Sequence, residues 1–136
     1  MVPFQKNLVK STWKMMAPMA DEVARRFYER LFEIDISAQA LFKSSDLPQQ
    51  RRKLVQALSL VVQGIDDLST LVPVVADLGR RHAQLGVTDS QYDSVGAALL
   101  WTFERSLGSA WTNEAKLAWA GAYAVLAGVM REAAAS

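Results

Sequence analysis

The sequence predicts an all-α fold, and three observations carry that expectation. No segment alternates apolar and polar residues as a half-buried strand does, and no two apolar runs are joined by a two-residue hairpin turn. Apolar residues instead recur at three- and four-residue intervals through most of the chain. The four prolines, Pro3, Pro18, Pro48 and Pro73, stand where that periodicity restarts. Proline suits the first turn of a helix, where its missing amide hydrogen would have no partner.

In chain order, residues 3–16 place Phe4, Leu8, Thr12, Trp13 and Met16 at helical intervals. Residues 18–34 follow with Val23, Phe27, Leu31 and Ile34 as the main stripe, widened by Tyr28 and Phe32 one turn apart. A short turn over residues 37–42 leads into the polar loop of residues 43–48. Residues 48–65 form the next helix, with Leu54, Leu58, Val61, Val62 and Ile65 on one face and a solvated basic run, Arg51-Arg52-Lys53, near its start. Pro73 opens the following helix and Gly86 closes it with a left-handed residue. Asp89 caps residues 90–107, which align Tyr92, Val95, Leu99 and Phe103 before Gly108. Thr112 caps residues 113–132, with Ala120, Tyr123, Ala127 and Met130 inward. Gly96, Gly121 and Gly128 are expected to let helices cross closely. Six long helices and one short one result, without repeat, low-complexity tract or linker, so one domain over residues 1–136 is expected.

Composition narrows the function. A chain that is 51% hydrophobic and 21% charged is globular and not disordered. A formal charge of +1 gives no reason to expect nucleic acid or an anionic membrane as a partner. The absence of cysteine excludes disulfides, thiolate metal sites and thioether-linked haem, and fits a cytoplasmic setting. The first ten residues lack the apolar core of a secretory signal. The longest uncharged apolar run, residues 117–130, falls short of the about 20 residues a membrane span needs. No oligomer is predicted.

One histidine is present. His82 shares a helix face with Val75 and Leu78, apolar apart from the imidazole, while Arg80 and Arg81 occupy more exposed arcs. An inward histidine is either a hydrogen-bonded core residue or a ligand. Tyr28 is equally open, either a half-buried core tyrosine or a polar group in a pocket. Gln50, taken alone, is a first-turn polar residue on a solvated face. The four tryptophans, Trp13, Trp101, Trp111 and Trp119, are too scattered for a stacking platform and are assigned to packing.

Taken together, these features resemble the globins. Tyr28 lies inward on an early helix, a short helix ends in Phe42, Gln50 and Leu54 lie one turn apart, His82 follows thirty-two residues after Gln50, and Tyr92 comes ten residues later. The stretches FYERLF, ALFKSSDLPQQRRKL, VVQGIDDL, DLGRRHAQLGV, SQYDSVGAALL and AWAGAYAVLAGVM carry the likeness across nearly the whole chain. It is similar in particular to bacterial single-domain globins and the haem domain of flavohaemoglobins, and most of all to the small Hell's Gate type. The resemblance implies a three-over-three helical sandwich around haem b (iron protoporphyrin IX). His82 would be the proximal iron ligand, and Phe42 would wedge against the macrocycle. Tyr28 and Gln50 would form the polar distal pair, with Leu54 beside the sixth coordination site. Leu78, Val87, Tyr92, Val95 and Tyr123 would line the cofactor, and Lys53 or Arg81 would reach a propionate.

The implied ligands are dioxygen, nitric oxide and other diatomic gases. Dioxygen held at ferrous iron gains partial negative charge, which hydrogens from Tyr28 and Gln50 would stabilise. With no second histidine, a bis-histidyl iron is excluded. Where flavohaemoglobins orient the proximal histidine with a tyrosine and a C-terminal glutamate, this chain has Tyr92 but Ala134, with Glu132 two residues early. No reductase domain lies within these residues, so turnover calls for an external electron donor or reductase. The expected function is tight, reversible dioxygen binding that supports nitric oxide dioxygenation. Gas storage, delivery or sensing without turnover is the alternative, and a helical partner-binding module the reading outside haem chemistry.

Overall fold

The computed structural model describes residues 1–43 and 45–135. Ser44, in the expected polar loop, and Ser136 lie outside the described residues. The helices are α1 (Pro3–Met16), α2 (Ala20–Ile34), α3 (Ile36–Leu41), α4 (Leu47–Gln63), α5 (Leu68–Gln84), α6 (Asp89–Leu107) and α7 (Asn113–Ala134), with no strand among the described residues. Single 3-10 turns, Ala17–Met19 and Gly108–Ala110, precede α2 and follow α6.

Local chemistry explains most boundaries. The side chains of Asp35, Asp46 and Thr112 accept amide hydrogens from Ala38, Gln49 and Ala115, capping α3, α4 and α7. Pro18 builds the 3-10 turn and does not start α2. The start of α6 belongs to Thr88, not Asp89: the Thr88 side chain accepts from the Gln91 amide while the Gln91 side chain accepts from the Thr88 amide. Pro73 does not open α5, which begins at Leu68 and carries the proline inside. The carbonyl that Pro73 fails to bond belongs to Ser69, in the exposed first turn, where water can replace the lost partner. Gly86 and Gly108 adopt positive φ, 88° and 55°, as their stop positions require.

Helix α7 packs against α5, α1 and α6, while α2 packs against α6 and α4. The larger core cluster joins Val9, Trp13, Met16, Phe27, Leu31, Phe103 and Trp119; a smaller one joins Leu71, Val75, Tyr92, Ala127 and Met130. Trp119 Nε1 donates to Thr12 Oγ1 at 2.8 Å, tying α7 to α1 through a buried bond. Two expected stripe residues fall outside the core. Phe4 is 61% exposed and Ile34 is 40% exposed, because each lies at the end of its helix where the packed neighbour no longer reaches. The crossings also differ from expectation. A Cβ on Gly96 would meet the Tyr123 ring at 2.8 Å, but Gly121 and Gly128 face open space. The tightest approach runs through Gly79, where a Cβ would lie 2.5 Å from the Met130 carbonyl oxygen.

Candidate functional site

His82 sits in the last turn of α5, with its ring half-buried. Nδ1 lies 2.8 Å from the carbonyl oxygen of Leu78, one turn earlier. A carbonyl only accepts, so Nδ1 carries the hydrogen. Burial lowers the imidazole pKa, with the Leu78 bond opposing that shift, so the ring favours its neutral form. The neutral Nδ1–H tautomer leaves Nε2 with a lone pair, and Nε2 makes no hydrogen bond among the described residues. The Tyr92 ring stacks on the imidazole at 6.3 Å between centroids and 22° between planes.

Tyr92 is buried, and its hydroxyl has no hydrogen-bond partner among the described residues. Burial raises its pKa, opposed by the nearby Arg131 charge. Tyr123 anchors the same place from α7, its hydroxyl donating to the Tyr92 carbonyl at 2.6 Å. Burial pushes the Tyr123 pKa upward too. Leu78 and Val87 are half-buried against the smaller core cluster, and the Val87 amide donates to the His82 carbonyl at 3.0 Å.

Across the interior, α2, α3 and α4 assemble a second group. The Tyr28 ring meets Phe27 edge-on at 5.0 Å and Phe42 at 5.4 Å, with Phe32 at 6.0 Å. Its hydroxyl donates to the Gln50 backbone carbonyl at 3.4 Å. That is long for an O–H···O bond, so the hydroxyl gives up little by turning to a better acceptor. Burial pushes the Tyr28 pKa up to about 12, keeping it a protonated donor at neutral pH. The Gln50 carboxamide, half-buried on the first turn of α4, makes no hydrogen bond among the described residues. Leu54 and Val95 are half-buried against the larger core.

The structure therefore brings together Tyr28, Phe42 and Gln50 on one side and Leu78, His82, Val87, Tyr92 and Tyr123 on the other. It leaves two expected residues apart. Lys53 is exposed, and Arg81 turns outward to Asp77 at 2.7 Å. Both helices present cations on their solvent arcs, where hydration and a nearby carboxylate hold them more cheaply than the interior does. Between the two groups, α4 and α5 share no broad packed face. An apolar cavity of about 120 Å³ lies among α4, α6 and α7, lined by residues that include Leu58, Val61, Gly96, Leu99, Phe103 and Tyr123.

No group of three or more histidine, cysteine or carboxylate side chains that could hold a metal ion occurs among the described residues. A lone imidazole does not retain a bare ion, whereas iron in a porphyrin arrives with four nitrogens of its own and needs one axial donor. The free Nε2 and the half-buried phenol fit that group, whereas the apolar cavity borders Tyr123 but neither His82 nor Tyr28. Sequence reasoning missed Arg131, whose guanidinium carbon lies 5.1 Å from the Tyr92 ring centroid. The signal was available, since Asp89 and Asp93 flank Tyr92 one turn apart and call for a cation.

Residues 25–130 match the family model described as Globin. The chain is 32% identical over 127 residues to a flavohemoprotein of Rhizobium meliloti, covering 92% of this chain and 32% of that one. Against the flavohemoprotein of Bordetella parapertussis it is 34% identical over 130 residues, covering 94% and 32%. The chain thus spans about a third of the length of these relatives. It is 28% identical over 138 residues to neuroglobin of Danio rerio, covering 92% and 87%. Among solved structures, a hexacoordinated heme protein from an anhydrobiotic tardigrade superposes with a TM-score of 0.89 at 15% identity, covering 100% and 96%.

Proposed function

Because this chain belongs to the globin family, matched over residues 25–130, we propose that it is a haem b protein that binds dioxygen tightly and, supplied with electrons from an external donor, supports conversion of nitric oxide to nitrate. We read it as one globin domain over residues 1–136, of the bacterial single-domain kind nearest the Hell's Gate type, working in the cytoplasm. Among the described residues no helix is long and apolar enough to cross a membrane.

The observation that carries the reading is the setting of His82: its Nδ1 is committed to the Leu78 carbonyl, burial favours the neutral ring, and Nε2 is left to donate a lone pair. Bound haem supplies a ferrous centre that takes diatomic ligands and exchanges one electron. This chain's residues do the rest. His82 would hold the iron, and Phe42 would offer an aromatic edge to the macrocycle. Tyr28, kept protonated by burial, and Gln50 supply hydrogens toward a ligand that gains negative charge, while Leu54 limits access. Leu78, Val87, Val95, Tyr92 and Tyr123 would exclude water around the ring, and Lys53 or Arg81 would have to leave its solvent arc to reach a propionate.

Spectra of the purified chain with hemin, reduced and then exposed to air, test the haem reading. A Soret band that titrates to one haem per chain and is lost in His82→Ala supports it, whereas a colourless wild type defeats it. Rapid mixing of the air-equilibrated reduced protein with nitric oxide tests the chemistry; stoichiometric nitrate supports dioxygenation, and its absence defeats that part. The second reading, gas storage, delivery or sensing without turnover, draws on the proximal side, where a guanidinium lies over the Tyr92 ring and the Tyr92 hydroxyl makes no hydrogen bond among the described residues. It expects a Soret band without nitrate.

A further inference from the structure

We propose that Arg131 is an electrostatic positioning residue of the His82 site: its guanidinium, held by Asp89 and Asp93 against the Tyr92 ring that stacks on His82, biases iron ligated by His82 toward the ferrous state. The inference rests on the haem reading above.

The geometry forms a short relay between α7 and α5. Arg131 Nη2 donates to Asp93 Oδ1 at 2.9 Å and to the Asp89 carbonyl at 3.0 Å. Its Nε lies 3.7 Å from the Asp89 carboxylate. So clamped, the guanidinium carbon stands 5.1 Å from the Tyr92 centroid, within the range of a cation–π contact. The ring's other partner is the imidazole, 6.3 Å away and nearly parallel. Tyr92 is buried and the Tyr123 bond pins its backbone, so the ring has little room to leave.

The carboxylates cancel the cation only in part. The side chains of Asp89 and Asp93 are 90% and 81% exposed, whereas that of Arg131 is 35% exposed. Water screens the anions more than the cation, and at Tyr92 the Arg131 charge stands ahead of the Asp89 charge, so the field there keeps a positive excess. A positive charge opposes removal of an electron from a centre coordinated by that imidazole. For a screened charge about 10 Å away, the expected bias is on the order of threefold to tenfold in the ferric–ferrous equilibrium, tenfold being 59 mV for one electron.

The test measures midpoint potential and thermal midpoint for the haem-loaded chain. Arg131→Met keeps the stem and removes the charge, and should lower the potential by a threefold to tenfold shift in the equilibrium. Arg131→Lys keeps the charge without the fork, and should hold most of the wild-type potential while losing thermal stability. Asp93→Asn leaves the guanidinium less compensated and should move the potential the other way; it also serves if Arg131→Met fails to fold. An unchanged potential in Arg131→Met, or in Asp93→Asn where the former does not fold, overturns the inference while leaving haem binding standing. Equal shifts in the Met and Lys variants, the mark of a merely structural clamp, also overturn it. A wild-type chain that takes up no haem overturns both readings, which separates the two failures.

Discussion

Tyr28 is the residue on which the proposed ligand retention would depend. Its hydroxyl makes only a 3.4 Å bond to a backbone carbonyl, so turning toward a charged acceptor costs little and gains a charge-assisted bond of about 1.5–3 kcal/mol. Tyr28→Phe keeps the ring among Phe27, Phe32 and Phe42 but removes that donor. Dioxygen release from the variant, followed by stopped-flow displacement, is expected to be about tenfold to a hundredfold faster. An unchanged off-rate would remove Tyr28 from the distal role. Gln50→Leu should act in the same direction but less. His82 leads to a pH prediction for the haem-free chain. Burial depresses its folded pKa below the unfolded 6.5, so the unfolded state binds the proton more readily. The stability contributed by the neutral ring is fully present above pH 6.5 and is lost as pH falls through the depressed folded value. Thermal midpoints across pH 5 to 8 should therefore fall more steeply on the acid side for wild type than for His82→Gln.

At the scale of elements, the crossing of α5 and α7 is decided by one missing methyl group. Gly79 brings α5 against the Met130 backbone so closely that a Cβ would lie 2.5 Å from an atom that cannot rotate away. Gly79→Ala must push α5, and His82 with it, off α7; a loss of about 1–3 kcal/mol in urea unfolding is expected, with weakened hemin uptake. Gly121→Ala is the matched control. It sits within α7 with open space around it, so removing backbone freedom should stabilise by about 0.5–1 kcal/mol. Equal losses in the two variants would refute the assignment of the crossing. Helix periodicity cannot tell these glycines apart, because it reports which arc a residue occupies and not which neighbour arrives there.

For the whole molecule, the two groups of candidate residues come from different sets of helices, joined where α2 packs on α6. His82 and Leu78 sit on α5, Tyr92 and Val95 on α6, Tyr123 and Arg131 on α7, while Tyr28, Phe42 and Gln50 come from α2, α3 and the start of α4. A ligand bridging both groups ties the folded state together and leaves the unfolded chain unaffected. Hemin at a hundred times its dissociation constant should thus stabilise wild type by about 2.7 kcal/mol. Calorimetry should show the raised thermal midpoint for wild type and a much smaller rise for His82→Ala. The same dispersion explains the legibility of the site. Tyr28, Gln50 and His82 are far apart in the chain, and only the order of several weak signals made them a constellation.

The amino-acid sequence by itself determined the all-α class, the extents of most helices and the inward arc that carries His82, because apolar period, caps and stop glycines are local properties of the chain. It also bounded the chemistry: one imidazole and no thiol leave a single strong axial donor. Tertiary structure alone decided that Gly79 and not Gly121 or Gly128 makes the closest crossing, and that Phe4 stays in solvent. It alone placed Arg131 over Tyr92. Each of those outcomes depends on which surface another helix brings to the residue, and that is a property of packing between segments distant in the chain.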